Sequence, residues 1–178
     1  VDWLAFLTNV LPATSIFLPS LDEILFMVDR EKYDQLVAEF GGQIIDGVDA
    51  ELVEKTGQTL IDLGVPVVVI KLGEHGLYLR TASTVPGKDS SWNNVRRFEA
   101  CFDSNLAGTT GAGDCAIAGF LSAYINGMSA EETILTAVAT GSASTESLDA
   151  VSAIPHRSRI KARIDTGWKR IPGKFSGV

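Results

Sequence analysis

The amino-acid sequence predicts an α/β domain in which helices cover a mainly parallel sheet. Three observations lead there. Apolar residues at helical spacing alternate along the chain with short apolar runs, and Gly or Pro punctuates the joins. Val67 to Leu72 (VVVIKL) is a β-branched run of the kind buried on both faces of a parallel sheet. The 178 residues, 46% of them apolar, are enough for one domain with a core of its own.

The elements follow in order. Trp3 to Pro12 reads as a helix and loop leading into a strand at Ser15 to Leu18 that ends at Pro19. Ser20 opens a helix through Leu25, Phe26 and Met27. Tyr33, Leu36, Val37 and Phe40 then repeat at i, i+3, i+4 and i+7, stopped by Gly41-Gly42. A third helix is predicted from the N-cap Asp49 to Leu63, with Gly64 and Pro66 as its stop. After Val67–Leu72 and Gly73, the alternating stretch Gly76 to Arg80 predicts an adjoining strand. Residues 83 to 94 are polar and read as a loop, and Val95 to Phe102 as a weaker strand. Ile117, Phe120, Leu121, Tyr124 and Ile125 mark an amphipathic helix closed by Asn126-Gly127. Ser129 and Glu132 form a capping-box pair for another helix through about Ser142.

Charge is unevenly spread. The formal net charge of −7 divides into −13 over residues 1 to 154 and +6 over residues 155 to 178. The acidic body disfavours nucleic acid and anionic lipid as partners. The basic tail carries Ile160, Ile164 and Trp168 at four-residue spacing. That pattern favours a terminal helix docked on the body over a nucleic-acid or membrane arm. No apolar run is long enough to span a bilayer, and no signal peptide opens the chain. Two cysteines, Cys101 and Cys115, without metal-ligand spacing argue against a disulfide scaffold or a zinc site, and a reducing, cytoplasmic compartment is expected.

The stretch that carries chemistry is Gly108-Thr109-Thr110-Gly111-Ala112-Gly113-Asp114, between the last strand and the amphipathic helix. Small residues let a phosphate approach the backbone. Free N–H groups of Ala112, Gly113 and Asp114 at a helix start would face it, aided by the positive end of the helix dipole. This is neither a Walker loop, since no Gly-Lys-Ser/Thr follows, nor a GxGxxG fingerprint. Asp114 beside an anion site repels the anion unless it has a task. In phosphoryl transfer it would accept the proton of an attacking hydroxyl while the N–H groups hold the phosphoryl group. As a structural residue it would stabilise its helix dipole by about 0.3–1 kcal/mol. Spacing alone supports the two readings equally.

GTTGAGD followed by CAIAGFLSA resembles the C-terminal signature of the ribokinase-like (PfkB) carbohydrate kinases, DTxGAGD followed by small and apolar helix residues. The resemblance implies a three-layer αβα, Rossmann-like fold and transfer of the γ-phosphoryl of ATP to a sugar hydroxyl with Mg²⁺. It implies Asp114 as catalytic base, the amides of Gly111, Ala112 and Gly113 as the anion hole, and Thr109 and Gly141 among the nucleotide-binding residues. Gly141 lies in Ala139 to Ser144 (ATGSAS), which matches the helix closing the adenine pocket. Leu18-Pro19-Ser20-Leu21-Asp22-Glu23 resembles the family's PNxxE segment. That implies Glu23 as organiser of the metal through water and Ser20 as a contact near the phosphates, although the same pair is also a capping box. Val69 to Gly76 resembles the strand and GxxG turn that lie against the nucleotide. Gly73 and Gly76 would admit it and Lys71 would approach its phosphates; the competing readings are a hairpin turn and a solvated strand end.

Departures from the family pattern matter too. Gly108 stands where the family has Asp, which makes activation by a monovalent cation doubtful, and Ser20 replaces Asn. His75 is expected to be an exposed turn residue and Cys115 a small helix residue. The resemblance corresponds to the C-terminal half of such a kinase, with the glycine-rich sugar-binding segment and the β-sheet lid absent. The chain, which begins at Val1, is therefore expected to be a fragment: residues 1–154 the nucleotide-binding and catalytic half, 155–178 a basic tail with a docked helix. Sugar and ATP are the implied partners, a homodimer of the full-length protein is possible, and the isolated chain is expected to be inactive on sugars. The competing function is a nucleotide- or anion-binding module without phosphotransfer, motivated by Gly108 and Ser20.

Overall fold

The computed structural model describes residues 1–149 and 151–175. The described residues divide into two units, one formed by Val1–Leu72 with Tyr78–Phe98, the other by Gly73–Leu77 with the described residues from Glu99 onward.

In the first unit, every α-helix starts where a side chain can cap it. Helix α1 spans Trp3–Val10, and the Asp2 carboxylate accepts the N–H of Ala5 at 3.0 Å. Helix α2 spans Leu21–Val28 behind Ser20. Helix α3 spans Arg30–Phe40, capped by Asp29 and ended at Gly41, and α4 spans Ala50–Asp62, capped by Asp49. These are the helices expected from the apolar spacing. Ile24, Leu25, Val53 and Leu60 on their inner faces are wholly buried, as are Val67 to Ile70.

Strands β1 (Val67–Lys71), β2 (Leu77–Thr81) and β3 (Arg96–Glu99) form a sheet in that order. β3 is shorter than the expected Val95 to Phe102. The sheet corrects the expectation of mainly parallel strands. Thr81 donates to the Val95 carbonyl at 3.0 Å and Asn94 to the Ala82 carbonyl at 2.9 Å, so one strand ascends as its neighbour descends. The physical reason lies in the connections. Neither residues 72–76 nor residues 82–95 contain the crossover helix that a parallel pair requires, only short 3₁₀ turns. Among the described residues, the isolated parallel bridges are Phe17 with Val68 and Ser20 with Lys71. The expected strand at Ser15 to Leu18 is reduced to these bridges, next to Pro19, which has no N–H to give.

In the second unit, α5 spans Ala112–Ile125 and α6 spans Ala130–Ser144, the latter opened by the Ser129–Glu132 capping box. α6 is buried along nearly its whole length. Small residues let the two helices approach closely. A Cβ on Gly119 would lie 2.6 Å from Thr140 Oγ1, and one on Gly141 would lie 3.1 Å from both the Ala112 carbonyl oxygen and Ala116 Cβ.

The basic tail belongs to this unit. Helix α7 spans Arg157–Asp165 and buries Ile160. Beyond its end, the Trp168 ring stacks on Phe102 with centroids 4.5 Å apart, and its Nε1 donates to the Asp103 carbonyl. Arg170 forms an antiparallel bridge with Phe102 and an ion pair with Glu99, while Ile171 donates to the Cys101 carbonyl at 2.9 Å. Arg163 binds Glu146 through its two terminal guanidinium nitrogens, at 2.9 and 2.8 Å. The tail's positive charge is thus partly spent on acids of the body. Ile160 is buried and Ile164 half-buried, while Trp168 lies beyond the end of α7 and not on one helical face with them as the spacing suggests.

Candidate anion-binding and catalytic site

The turn into α5 is built around Gly111, whose φ of 77° and ψ of 0° place it in the left-handed region, where a Cβ is penalised. Gly111 is the N-cap, so Ala112, Gly113 and Asp114 form the first turn of the helix. The expectation that all three N–H groups are free needs one correction. Ala112 donates to the Thr109 carbonyl at 3.1 Å, which closes the turn. The Gly113 and Asp114 N–H groups have no acceptor among the described residues, as expected of a helix start. Cys115 makes the first helical bond, to the Gly111 carbonyl at 2.9 Å, and its side chain is buried. The Asp114 carboxylate is exposed and makes neither hydrogen bond nor ion pair among the described residues, and Thr109 is exposed beside it.

The segment before this turn is held from α6. Phe102 donates to Ser142 Oγ at 3.0 Å, and the hydroxyls of Ser104 and Thr145 lie 2.8 Å apart. The Thr145 carbonyl accepts the N–H of Ala107 at 2.8 Å and of Gly108 at 3.2 Å. Sequence reasoning missed Ser142 and Thr145. Their partners lie about forty residues away, and the only hint was the small, hydroxyl-rich composition of ATGSAS. Gly141 itself is buried beneath the start of α5 rather than at an open surface, so its direct action is on the packing under the turn. A Cβ at Gly108 would lie 3.3 Å from the Ser147 carbonyl oxygen, so a side chain there would press on the Ser147–Leu148 backbone.

The Gly73–Gly76 turn belongs to the same unit. Gly76 donates to the Gly73 carbonyl at 3.2 Å and has φ of 95°, and a Cβ on it would lie 1.9 Å from the Glu99 carbonyl oxygen. Contact with the 99–100 backbone therefore demands glycine there, whatever else the turn does. Cys101 Sγ lies 3.7 Å from the Gly73 carbonyl, and burial pushes its thiol up from the ordinary value. His75 is half-buried, its ring edge-on to Phe175 at 6.0 Å, which corrects the expectation of an exposed turn residue.

In the first unit, Ser20, Glu23 and Lys71 come together. Both halves of the capping box are made: Ser20 N–H to the Glu23 carboxylate at 2.9 Å, and Glu23 N–H to Ser20 Oγ at 3.3 Å. The Ser20 hydroxyl, then its N–H, hold the Glu23 carboxyl below its ordinary value, and Lys71 adds a smaller attraction. Among the described residues no cluster of three or more His, Cys, Asp or Glu side chains could hold a metal. No helix among them is long and apolar enough to cross a membrane.

The model of the pfkB family carbohydrate kinases matches residues 3–157. Among solved structures, Arabidopsis thaliana ribokinase complexed with ribose and ATP is 22% identical, with a TM-score of 0.64 over 87% of this chain and 42% of that one. Salmonella enterica aminoimidazole riboside kinase, complexed with aminoimidazole riboside and an ATP analog, is 20% identical, with a TM-score of 0.62 over 89% of this chain and 44% of that one. An Escherichia coli protein described as ribokinase II, in complex with ATP and Mg²⁺, is 18% identical, with a TM-score of 0.65 over 92% of this chain and 43% of that one. At these identities the likeness shows the ribokinase fold, and the chain spans about two fifths of the length of these structures. No curated protein sequence matches the chain significantly.

Proposed function

This chain belongs to the pfkB family of carbohydrate kinases, and from that premise we propose that it carries the nucleotide-binding and catalytic half of an ATP-dependent sugar kinase. The observation that carries the proposal is the Asp114 carboxylate, exposed and unpaired among the described residues, beside the two free N–H groups of Gly113 and Asp114. ATP, when bound, supplies the phosphoryl group. The Asp114 carboxylate accepts the proton of the attacking sugar hydroxyl. The free N–H groups, with the positive end of α5, stabilise the charge on the transferring group's oxygens. Gly111 turns the backbone toward them, Ala112 closes the turn on Thr109, and Gly141 supports it from below. The family resemblance further assigns Gly73 and Gly76 the role of bordering the nucleotide, and Lys71 and Ser20 that of contacting its phosphates.

A phosphate fits the turn because Gly113 adds no side chain over the free N–H groups. Mg²⁺ fits less directly. Glu23 is held ionised, but among the described residues it belongs to no cluster of three or more ligating side chains, so it would serve a magnesium ion through water, the remaining ligands coming from the phosphates. The ATP, Mg²⁺ and sugars named for the structural relatives support ATP, Mg²⁺ and a sugar or nucleoside as ligands of this site. Nucleic acid and membrane are not part of the reading, and its setting is the cytoplasm. Because the relatives extend well beyond the matched span, the chain alone is expected to be inactive on sugars. A polypeptide that also supplies the remainder of the fold should turn over.

The test is ATP consumption over a panel of sugars by that longer polypeptide. Asp114→Asn should lower turnover by about 10²–10⁴-fold and leave ATP affinity within about twofold. Unchanged turnover would refute the assignment of the base. A second reading, a nucleotide-binding module without phosphotransfer, is favoured by Gly108, whose missing carboxylate leaves that position apolar. Calorimetric binding of ATP with no turnover on any sugar would select it.

A further inference from the structure

The geometry points to Ser142 and Thr145, one turn apart at the end of α6, as positioning residues that fix the segment delivering the phosphate-binding turn. The inference rests on the kinase reading above, since it concerns how that turn is held.

Residues 103–110 contain no helix or strand of their own, yet they set where Gly111 begins α5. A segment without a backbone ladder has to find its partners elsewhere. The last turn of a helix is suited to provide them, because its carbonyls lack intrahelical donors. The Thr145 carbonyl uses that capacity twice, accepting from Ala107 and Gly108. The Thr145 hydroxyl donates to the Ser142 carbonyl at 2.7 Å, so its single proton is committed. The Ser104 hydroxyl, 2.8 Å away, is therefore the donor in their contact and is itself held in one orientation.

Ser142, 5% exposed, takes the Phe102 N–H at the other end of the same segment. The Ser142 hydroxyl thus holds one end of residues 102–108, the Thr145 hydroxyl holds Ser104 within them, and the Thr145 carbonyl holds the other end. The frame extends to the Gly73–Gly76 turn, because Cys101 contacts the Gly73 carbonyl and Gly76 packs on the Glu99 carbonyl. One turn of α6 therefore relates the two glycine turns to each other within the second unit. The bonds of Ser142 and Thr145 go to this segment and to α6 itself, so the residues act through the segment and not on a ligand.

The test uses the present chain, with Thr145→Val, Thr145→Ser, Ser142→Ala and Ser104→Ala. Amide exchange is read by NMR, and affinity for Mg·ATP and for inorganic tripolyphosphate by calorimetry. Thr145→Val and Ser104→Ala should each speed exchange of the Ala107 and Gly108 amides about five- to tenfold and weaken tripolyphosphate binding by a similar factor. Thr145→Ser should restore both, and exchange in the middle of α6 should not change. Ser142→Ala should speed exchange of the Phe102 amide. Wild-type exchange and affinity in Thr145→Val would overturn the inference, as would a loss spread evenly over α6 that Thr145→Ser fails to rescue. Should the unsubstituted chain bind neither probe, the kinase reading falls, while exchange at Ala107 and Gly108 still decides whether the clamp exists.

Discussion

At the scale of single residues, the strongest constraints come from backbone that a side chain cannot enter and from carboxylates that hydrogen bonds hold ionised. Gly76 shows the first. With φ of 95° and the Glu99 carbonyl oxygen 1.9 Å from where a Cβ would sit, Gly76→Ala combines left-handed strain with a clash against backbone. It should lower stability by about 2–4 kcal/mol in chemical denaturation, more than an ordinary surface change. Asp149 shows the second. It accepts hydrogen bonds from Ser152, through side chain and then N–H, from Val151 N–H and from Ser147, and these hold its carboxyl down at about 2 against an ordinary 3.8. Its folded-state value is depressed, so the stability it contributes is complete above pH 4 and is lost as the pH falls through about 2. An NMR titration of the carboxyl carbon should show that midpoint, and a midpoint near 3.8 would count against the turn at Ser147. The Asp114 reading needed only its place in GAGD; the Ala112–Thr109 bond that removes one expected donor depends on a backbone torsion that residue identity does not show.

At the scale of elements, caps and spacing made the helices legible. Ser20 with Glu23 and Ser129 with Glu132 open α2 and α6 where the capping pattern placed them, and Asp49 and Gly41 bound α4 and α3. Strand sense was not legible, because a β-branched run such as Val67 to Ile70 is equally buried beside a parallel or an antiparallel neighbour. The deciding feature is the absence of a helix from residues 72–76 and 82–95, a property of the connections and not of the strands. Ser142 and Thr145 were illegible for another reason: they act through contacts remote in sequence, which leave no local pattern. The α5–α6 contact supplies a test. Gly119→Ala should gain up to about 1 kcal/mol of helix propensity. Its Cβ would lie 2.6 Å from Thr140 Oγ1 and 3.2 Å from Ala137 Cα, and such overpacking costs about 1–3 kcal/mol. Net destabilisation is the expected outcome of thermal or urea melts, and a stabilised variant would show that the helices can separate at no cost.

At the scale of the whole molecule, one face of the first unit and one end of the second stand out. Leu4, Phe6 and Val10 on α1 are 48%, 49% and 40% exposed, and Phe6 and Val10 border an apolar cavity of about 680 Å³ with Phe17, Leu18 and Phe26. Apolar faces of this kind bind hydrophobic dyes. The chain should enhance anilinonaphthalene sulfonate fluorescence, and Phe6→Ser should reduce that signal without shifting the melting temperature; an unchanged signal would place the dye elsewhere. In the second unit, the tail from Trp168 to Ile171 bonds to the stretch Ala100–Asp103, which runs directly into the segment gripped by α6. The stretch Trp168–Ile171 is thereby part of the footing of the turn proposed to bind phosphate and not an appendage. A protease that nicked the exposed link between Asp165 and Gly167 could release that footing while leaving every residue from Gly108 to Asp114 untouched. The turn proposed to hold phosphate would then be lost to an incision more than fifty residues downstream, a vulnerability that the sequence of that turn gives no sign of.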